Sequence, residues 1–364
     1  YHAWVNLIGM LLGIALFAHQ YGVTCQKCHT VIPHLNDFGA HFLASGDRIP
    51  GVQPGPAFPF AMKANLLDSS ENQGDGPNGQ GLPKAIVDEV ELFAAGAIGT
   101  RGSFFVEQYA VDGGEHGLLR DAWVNDRLNQ WDAKIPLYVQ AGMYTLPLPV
   151  DPETFRESYQ DYAVFVQQVG NNPFDFFTPK LGVNVTVGNT LQGLSARIFT
   201  GPGHDRQSGL QTTGEDWMEN IQDAIGPLVL TYYHYEGERP DVATLLDRFV
   251  RQGYGVVFNV GKWTSESILQ TGWDSSYNGI GYSSSGGFTQ LRYAFSPRFF
   301  ALARYEGSSD TSGFERDTVV LLGYGPTHNS RITLEDVVEH VPYSNGTLSL
   351  QTTNTMNLQF TIGY

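Results

Sequence analysis

The chain has 364 residues, with 37 acidic against 21 basic side chains and a formal net charge of −16. That balance excludes a nucleic-acid partner, which needs basic patches. Charged residues are 16% and aromatics 13%, and with no apolar run of about eighteen residues the chain is not a helical membrane protein.

Residues 4–18, WVNLIGMLLGIALFA, are an uncharged apolar run, short for a bilayer span and near the length of a secretory h-region. No Lys or Arg precedes it, and Leu16 stands where a cleavage site wants a small residue. Residues 1–18 therefore read as a signal-peptide remnant, with a retained anchor or packed helix as the alternative. Either reading sends the chain out of the cytoplasm.

Next comes Cys25-Gln26-Lys27-Cys28-His29, the C-x-x-C-H pattern of covalent haem attachment. Two cysteines three positions apart lie on one helical face, where they can meet the two vinyl groups of a single porphyrin. His29 is then placed to give an imidazole nitrogen to the iron as proximal ligand. These are the only 2 cysteines of the chain. A disulfide or a redox dithiol would not require His29, and no βαβ pattern surrounds the pair. One covalent haem c is the expected cofactor.

A short helix is expected over 35–44, ended by Ser45-Gly46, with Leu35, Phe38, Phe42 and Leu43 at a spacing that covers one face of a porphyrin. His34 follows His29 too closely to reach the opposite haem face, which makes His41 the expected sixth iron ligand. Met62, Met143 and Met356 fall on expected lipid-facing strand positions. Residues 19–51 thus read as a monohaem module, and the Pro- and Gly-rich 52–57 as a linker.

From 58 to 364 the chain becomes a series of alternating apolar and polar runs, each closed by Gly, Asn, Asp, Ser or Pro. Met356, Leu358, Phe360, Ile362 and Tyr364 share one face of the last run, with Asn357, Gln359 and Thr361 on the other. Strands are expected at 58–69, 84–97, 102–112, 117–129, 134–147, 181–189, 192–201 and 223–236. Further strands are expected at 246–260, 262–273, 277–284, 287–296, 298–307, 314–325, 330–341 and 355–364. That makes sixteen, or fourteen if 262–284 is a loop.

Soluble sandwiches also alternate. Three features favour a membrane barrel, starting with Arg292, Arg304, Glu335 and Glu339 on the polar face, where a wet lumen accepts them and a dry core would not. Tight turns such as Ser296-Pro297 and 189–193 alternate with long polar segments such as 69–83 and 201–220. The chain also closes an amphipathic strand on an aromatic residue. The expected fold is mainly β, an outer-membrane antiparallel barrel with a small N-terminal α-helical haem module on its periplasmic side or inside its lumen. Residues 151–169 read as a helix within a long loop that folds into the lumen and narrows it, with Asp151 as N-cap before Pro152.

Cys25, Cys28 and His29, followed by Pro33, Leu35, Asn36, Phe38-Gly39, Phe42 and Gly46, resemble the start of the fused monohaem cytochrome–porin family. The match covers about thirty residues, and Asp47 replaces the aromatic that family members often carry after Gly46. The resemblance implies one-electron transfer across the outer membrane. Extracellular Fe(II) or another metal would be the donor or acceptor, and a periplasmic carrier such as a soluble cytochrome the partner. Whether that makes the chain an Fe(II) oxidase or an outward conduit to metals the sequence leaves open. No acid–base pair, nucleophile or H-E-x-x-H zinc spacing is present. Carboxylates suit Fe²⁺, so Glu71, Asp75, Asp205, Glu215 and Asp216 are candidates for a loop site where the metal enters. The rival readings are a diffusion porin with a haem-bearing plug and a cytochrome joined to a β-sandwich.

Overall fold

The computed structural model describes residues 16–55, 60–72, 84–169, 172, 174–203, 215–242, 245–277, 280–344 and 348–363. The apolar run before Leu16, and with it Asp75, Asp205 and Tyr364, lies outside these residues.

The alternation produces strands β1 (Phe60–Asn72), β2 (Lys84–Ile98), β3 (Gly102–Asp112), β4 (Glu115–His116), β5 (Leu119–Arg127) and β6 (Leu137–Tyr144). Strands β7 (Lys180–Asn189), β8 (Gln192–Gly201), β9 (Asp216–Ile225), β10 (Leu228–Val242), β11 (Leu245–Val260) and β12 (Trp263–Tyr277) follow. The wall is completed by β13 (Ile280–Ser296), β14 (Phe299–Asp310), β15 (Gly313–Tyr324), β16 (Ser330–Ser344) and β17 (Leu348–Gly363). Each wall strand pairs antiparallel with the next, and β1 pairs with both β2 and β17, which closes the sheet. The two-residue β4 is a ribbon on the edge of β3, leaving the sixteen wall strands expected from the sequence. Closure removes every sheet edge, the condition for strands to cross a membrane.

The count agrees because two departures cancel. The expected 223–236 strand straddles the Gly226-Pro227 turn, and the segment 216–220, read as loop, is the first half of β9. Conversely 277–284 and 287–296 are one strand, β13, running through Ser283-Ser284-Ser285-Gly286-Gly287. The small residues there make room: a Cβ on Gly286 would stand 3.1 Å from Gln167 Nε2 and 3.2 Å from Val164 Cγ2, both on a segment lying inside the barrel.

The outward face is apolar. Val320, Leu322, Leu334 and Leu358 are all more than 40% exposed, which in water would be an aggregation surface and in lipid is the ordinary barrel exterior. Trp263, Tyr293, Phe295, Phe299 and Tyr324 ring the end at which β7–β8, β9–β10, β11–β12 and β13–β14 turn, here the short-turn end, with Trp263 and Tyr293 centroids 4.4 Å apart. Trp273, Tyr305 and Phe314 stand at the opposite end. Two aromatic belts bounding an apolar band mark a membrane-spanning barrel. The ends differ partly by loop length and partly by strand length. Strands of 15–17 residues (β2, β10–β13, β16, β17) are about 50 Å long at 3.3 Å per residue, enough even when tilted to outreach the hydrocarbon.

The connection between β6 and β7 folds into the lumen as expected, but its described residues, 151–169 among them, are not helical. Asp151 does cap a turn, accepting from Glu153 N at 2.9 Å and Phe155 N at 3.2 Å. The segment then runs as irregular chain because the wall, not an internal ladder, satisfies its backbone. Glu335 accepts from Tyr159 N and Gln160 N (2.8 and 3.0 Å), Glu306 from Ala163 N (2.9 Å) and Asp310 from Gln168 N (2.9 Å). On its other side the connection buries Leu146, Leu148, Tyr162, Val164, Phe165, Phe174 and Phe176 against Phe199, Met218, Tyr233, Tyr235, Phe249, Ile268 and Phe288. Each such side chain contributes about 1.5–3 kcal/mol on leaving water. One half of the lumen is thus an aromatic core, and the open space lies along β1–β3 and β16–β17.

Candidate functional site

Residues 16–55 occupy that open half at the short-turn end. Helix α1 (Leu16–Gln20) buries Leu16 and Ala18 and donates Gln20 Nε2 to Ala95 O at 2.7 Å, so these positions are part of the packed module. A single 3₁₀ turn, Cys25–Lys27, carries the motif. Helix α2 (Asp37–Ala44) starts two residues later than expected because Asn36 is its N-cap, accepting from Gly39 N at 3.0 Å. Val31 packs with Phe300, Leu302 and Leu321 on the inner wall, and Arg48, 1% exposed, donates to Gly102 O at 2.8 Å.

Cys25 and His29 line one cavity of about 270 Å³, open at its mouth. Its other walls include Leu16, Phe17, Ile32 and Pro33 from the module, Phe93, Phe105 and Tyr109 from the barrel, and Phe155, Arg156, Ser158 and Tyr159 from the inserted connection. Both cysteines are free thiols. His29 Nδ1 lies 2.9 Å from Pro33 O. A carbonyl can only accept, so Nδ1 carries the proton and Nε2 keeps its lone pair for a metal. Burial also lowers the His29 pKa, favouring the neutral imidazole that ligation requires.

The same cavity presents an uncommitted cation. Arg331, 6% exposed on β16, donates Nη2 to Gln359 Oε1 at 3.2 Å, while its buried Nε and Nη1 have no partner. Two orphan donors facing a cavity await an anion. The inward arginines named from the sequence are engaged elsewhere: Arg292 Nε donates to Glu157 at 2.6 Å, and Arg304 holds Glu306 at 2.8 Å and Ser158 at 2.7 Å. Sequence reading missed Arg331, whose only signal is its inward place in the alternation of β16.

His41, the expected sixth ligand, is exposed on α2 and is not among the cavity-lining residues, so this arrangement does not bring it opposite His29. Of the expected porphyrin-covering residues, Phe42 packs on Phe17 and Tyr21 (centroids 5.1 and 5.7 Å), Phe38 lies 4.3 Å under the Lys27 ammonium, and Leu43 is 46% exposed. The apolar cover beside His29 comes instead from Leu16, Phe17, Ile32 and Pro33. Asp216 is not a loop residue open to metal: it is buried in β9, bound at both oxygens by Arg239 (2.6 and 2.8 Å). Glu215 is exposed just before it. The side chain of Glu71 lies outside the described residues.

A second cavity of about 430 Å³ lies on the far side of the inserted connection, lined by Asp88, Glu89, Asp112, Glu153 and Asp161 together with Arg120 and Arg156. Glu89, Tyr109, Glu153, Arg156 and Tyr159 belong to both cavities. One layer of side chains separates them, tied by Tyr109 OH donating to Glu153 at 3.1 Å.

Asp47 sits where the module turns back on itself. Its φ of 59° is left-handed, and burial pushes its carboxyl from the usual value near 3.8 up to about 7. A folded-state pKa raised this way gives stability that is complete below about pH 4 and is lost as pH rises through about 7. Thermal melts of the docked module are therefore expected to weaken between about pH 4 and 7. Asp47→Asn, which tolerates the same φ, should flatten that dependence and gain on the order of 1–3 kcal/mol at pH 8; equal slopes in the two proteins would contradict the assignment.

No family model matches the chain, and no curated protein matches it in sequence. Solved structures do resemble it. An anion-selective porin from Comamonas acidovorans superposes with a TM-score of 0.63 at 11% identity, covering 84% of this chain and 98% of that one. Salmonella typhi OmpF, solved with daunomycin, gives 0.60 at 12% identity (84% and 97% covered). The outer-membrane channel DcaP of Acinetobacter baumannii gives 0.57 at 11% identity (84% and 95% covered). The likeness is one of fold: a porin-like barrel.

Proposed function

We propose that the chain is an outer-membrane electron-transfer protein. One covalent haem c would be held in the cavity at the barrel mouth, with an extracellular metal such as Fe(II) as donor and a periplasmic carrier, for example a soluble cytochrome, as acceptor. The observation that carries the reading is that Cys25 and His29 face one cavity, on whose wall Arg331 offers two unpartnered N–H groups. When bound, the haem supplies a one-electron couple. Cys25 and Cys28 would fix it through thioethers, His29 Nε2 would ligate the iron, and Arg331 would hold a propionate. The apolar walls from Leu16, Phe17, Ile32 and Pro33 exclude water from the buried face. The acidic cavity beyond the connection favours cations over anions at the far approach. In the reverse direction the same parts would serve as an outward conduit.

Arg331→Gln removes a buried positive charge from the cavity. The midpoint potential is expected to fall by about 60 mV, a tenfold change in a one-electron equilibrium, with haem content unchanged. An unaltered potential would take Arg331 out of the site.

The porin fold also favours a second reading, a diffusion porin with a haem-bearing plug. Against wide diffusion stand the aromatic core in one half of the lumen and residues 16–55 in the mouth of the other. Planar-bilayer recording decides: a conductance like that of an open porin supports diffusion, and a small one supports the electron-transfer reading.

A further inference from the structure

Three carboxylates stand together on the inner wall, away from the haem-motif cavity. Glu315 and Asp317 project inward from β15 and Glu339 from β16, where Asp317 and Glu339 are register partners. One oxygen from each lies within 4.8 Å of the others. Asp317 is 0% exposed, and no N–H or hydroxyl donor reaches either of its carboxylate oxygens, the neighbouring group being the Glu315 carboxylate. The charges around it are Glu315, Glu306 and Glu339. Glu306 is committed to Arg304 at 2.8 Å, and Glu339 accepts from Gln160 Nε2 at 3.0 Å. Among the described residues no Lys, Arg or His forms an ion pair with Glu315, Asp317 or Glu339.

Like charges this close cannot all remain ionised in a poorly solvated wall without a compensating cation or protons. One hard cation can take an oxygen from each of three carboxylates grouped within 4.8 Å, and it would satisfy the buried oxygens of Asp317 that no donor reaches. We propose that Glu315, Asp317 and Glu339 bind one hard divalent cation on the lumenal wall. None of the three lines the cavity of His29, so the site stands whether or not haem is attached. Through Gln160 it also tethers the inserted connection to β16.

The test is titration of the full-length, detergent-solubilised protein with Mn²⁺, followed by loss of the free-ion EPR signal. Wild type should bind one Mn²⁺ more than Asp317→Asn, and Ca²⁺ should displace it. Glu315→Gln, a milder change at a half-buried position, should weaken that ion at least about tenfold. Heat-modifiable gel migration checks that each barrel is closed. Equal Mn²⁺ stoichiometry and affinity in wild type and both closed variants would overturn the site, as would wild type whose cluster only exchanges protons.

Discussion

Replacing Cys25 and Cys28 together by alanine is expected to give a closed barrel with no attached haem. The two thiols are the only cysteines of the chain, and both are free for thioether formation. Their loss touches one 3₁₀ turn, whereas closure rests on the sixteen-strand ladder and on the connection inside it. The variant should therefore keep heat-modifiable migration while losing all haem stain in denaturing gels. Extraction into acidified organic solvent is the sharper measurement. Wild-type haem should remain with the polypeptide, each single variant should hold it by one bond, and the double variant should hold none. Intact haem recovered in solvent from wild type would contradict covalent attachment.

Arg304→Met is expected to have the second largest effect, on the lumen. Arg304 is 1% exposed and donates to Glu306 Oε1 (2.8 Å), Ser158 Oγ (2.7 Å), Gln160 O (2.9 Å) and Asp161 O (2.8 Å), with Tyr162 stacked 4.4 Å away. Methionine fills similar volume but leaves Glu306 uncompensated and frees the connection. Breaking such a buried pair costs about 3–5 kcal/mol. Single-channel conductance should rise several-fold, and 151–169 should become protease-sensitive while the wall stays closed. Arg304→Lys keeps the charge without the fork of donors and should fall between. Unchanged conductance in Arg304→Met would show that this clamp does not hold the constriction.

The barrel was legible because a wall strand obeys a period of two whatever lies inside it. Where the sequence misled, the lumen was not wet. Tyr233, Tyr235 and Phe249 face inward onto Phe174 and Phe176, so β10 lacks a polar lumenal face there and the β9–β10 turn at Gly226-Pro227 does not stand out in the alternation. The serines and glycines of β13 looked like a break, yet they answer to Val164 and Gln167 across the lumen. The C-x-x-C-H motif was legible because thioether chemistry fixes it locally. Arg331 and the Glu315–Asp317–Glu339 group were not, since partners on different strands carry no spacing in sequence. His41 drew attention by its distance along the chain, and it stands exposed on α2.

The most direct measurement is electron transfer through oriented protein in liposomes loaded with an oxidised dye, with Fe(II) supplied outside. The wild type should reduce the dye well above the rate of the Cys25→Ala/Cys28→Ala barrel, while both pass small solutes equally slowly. Equal dye reduction by the two proteins would contradict electron transfer through the haem-bearing module and leave a porin in its place.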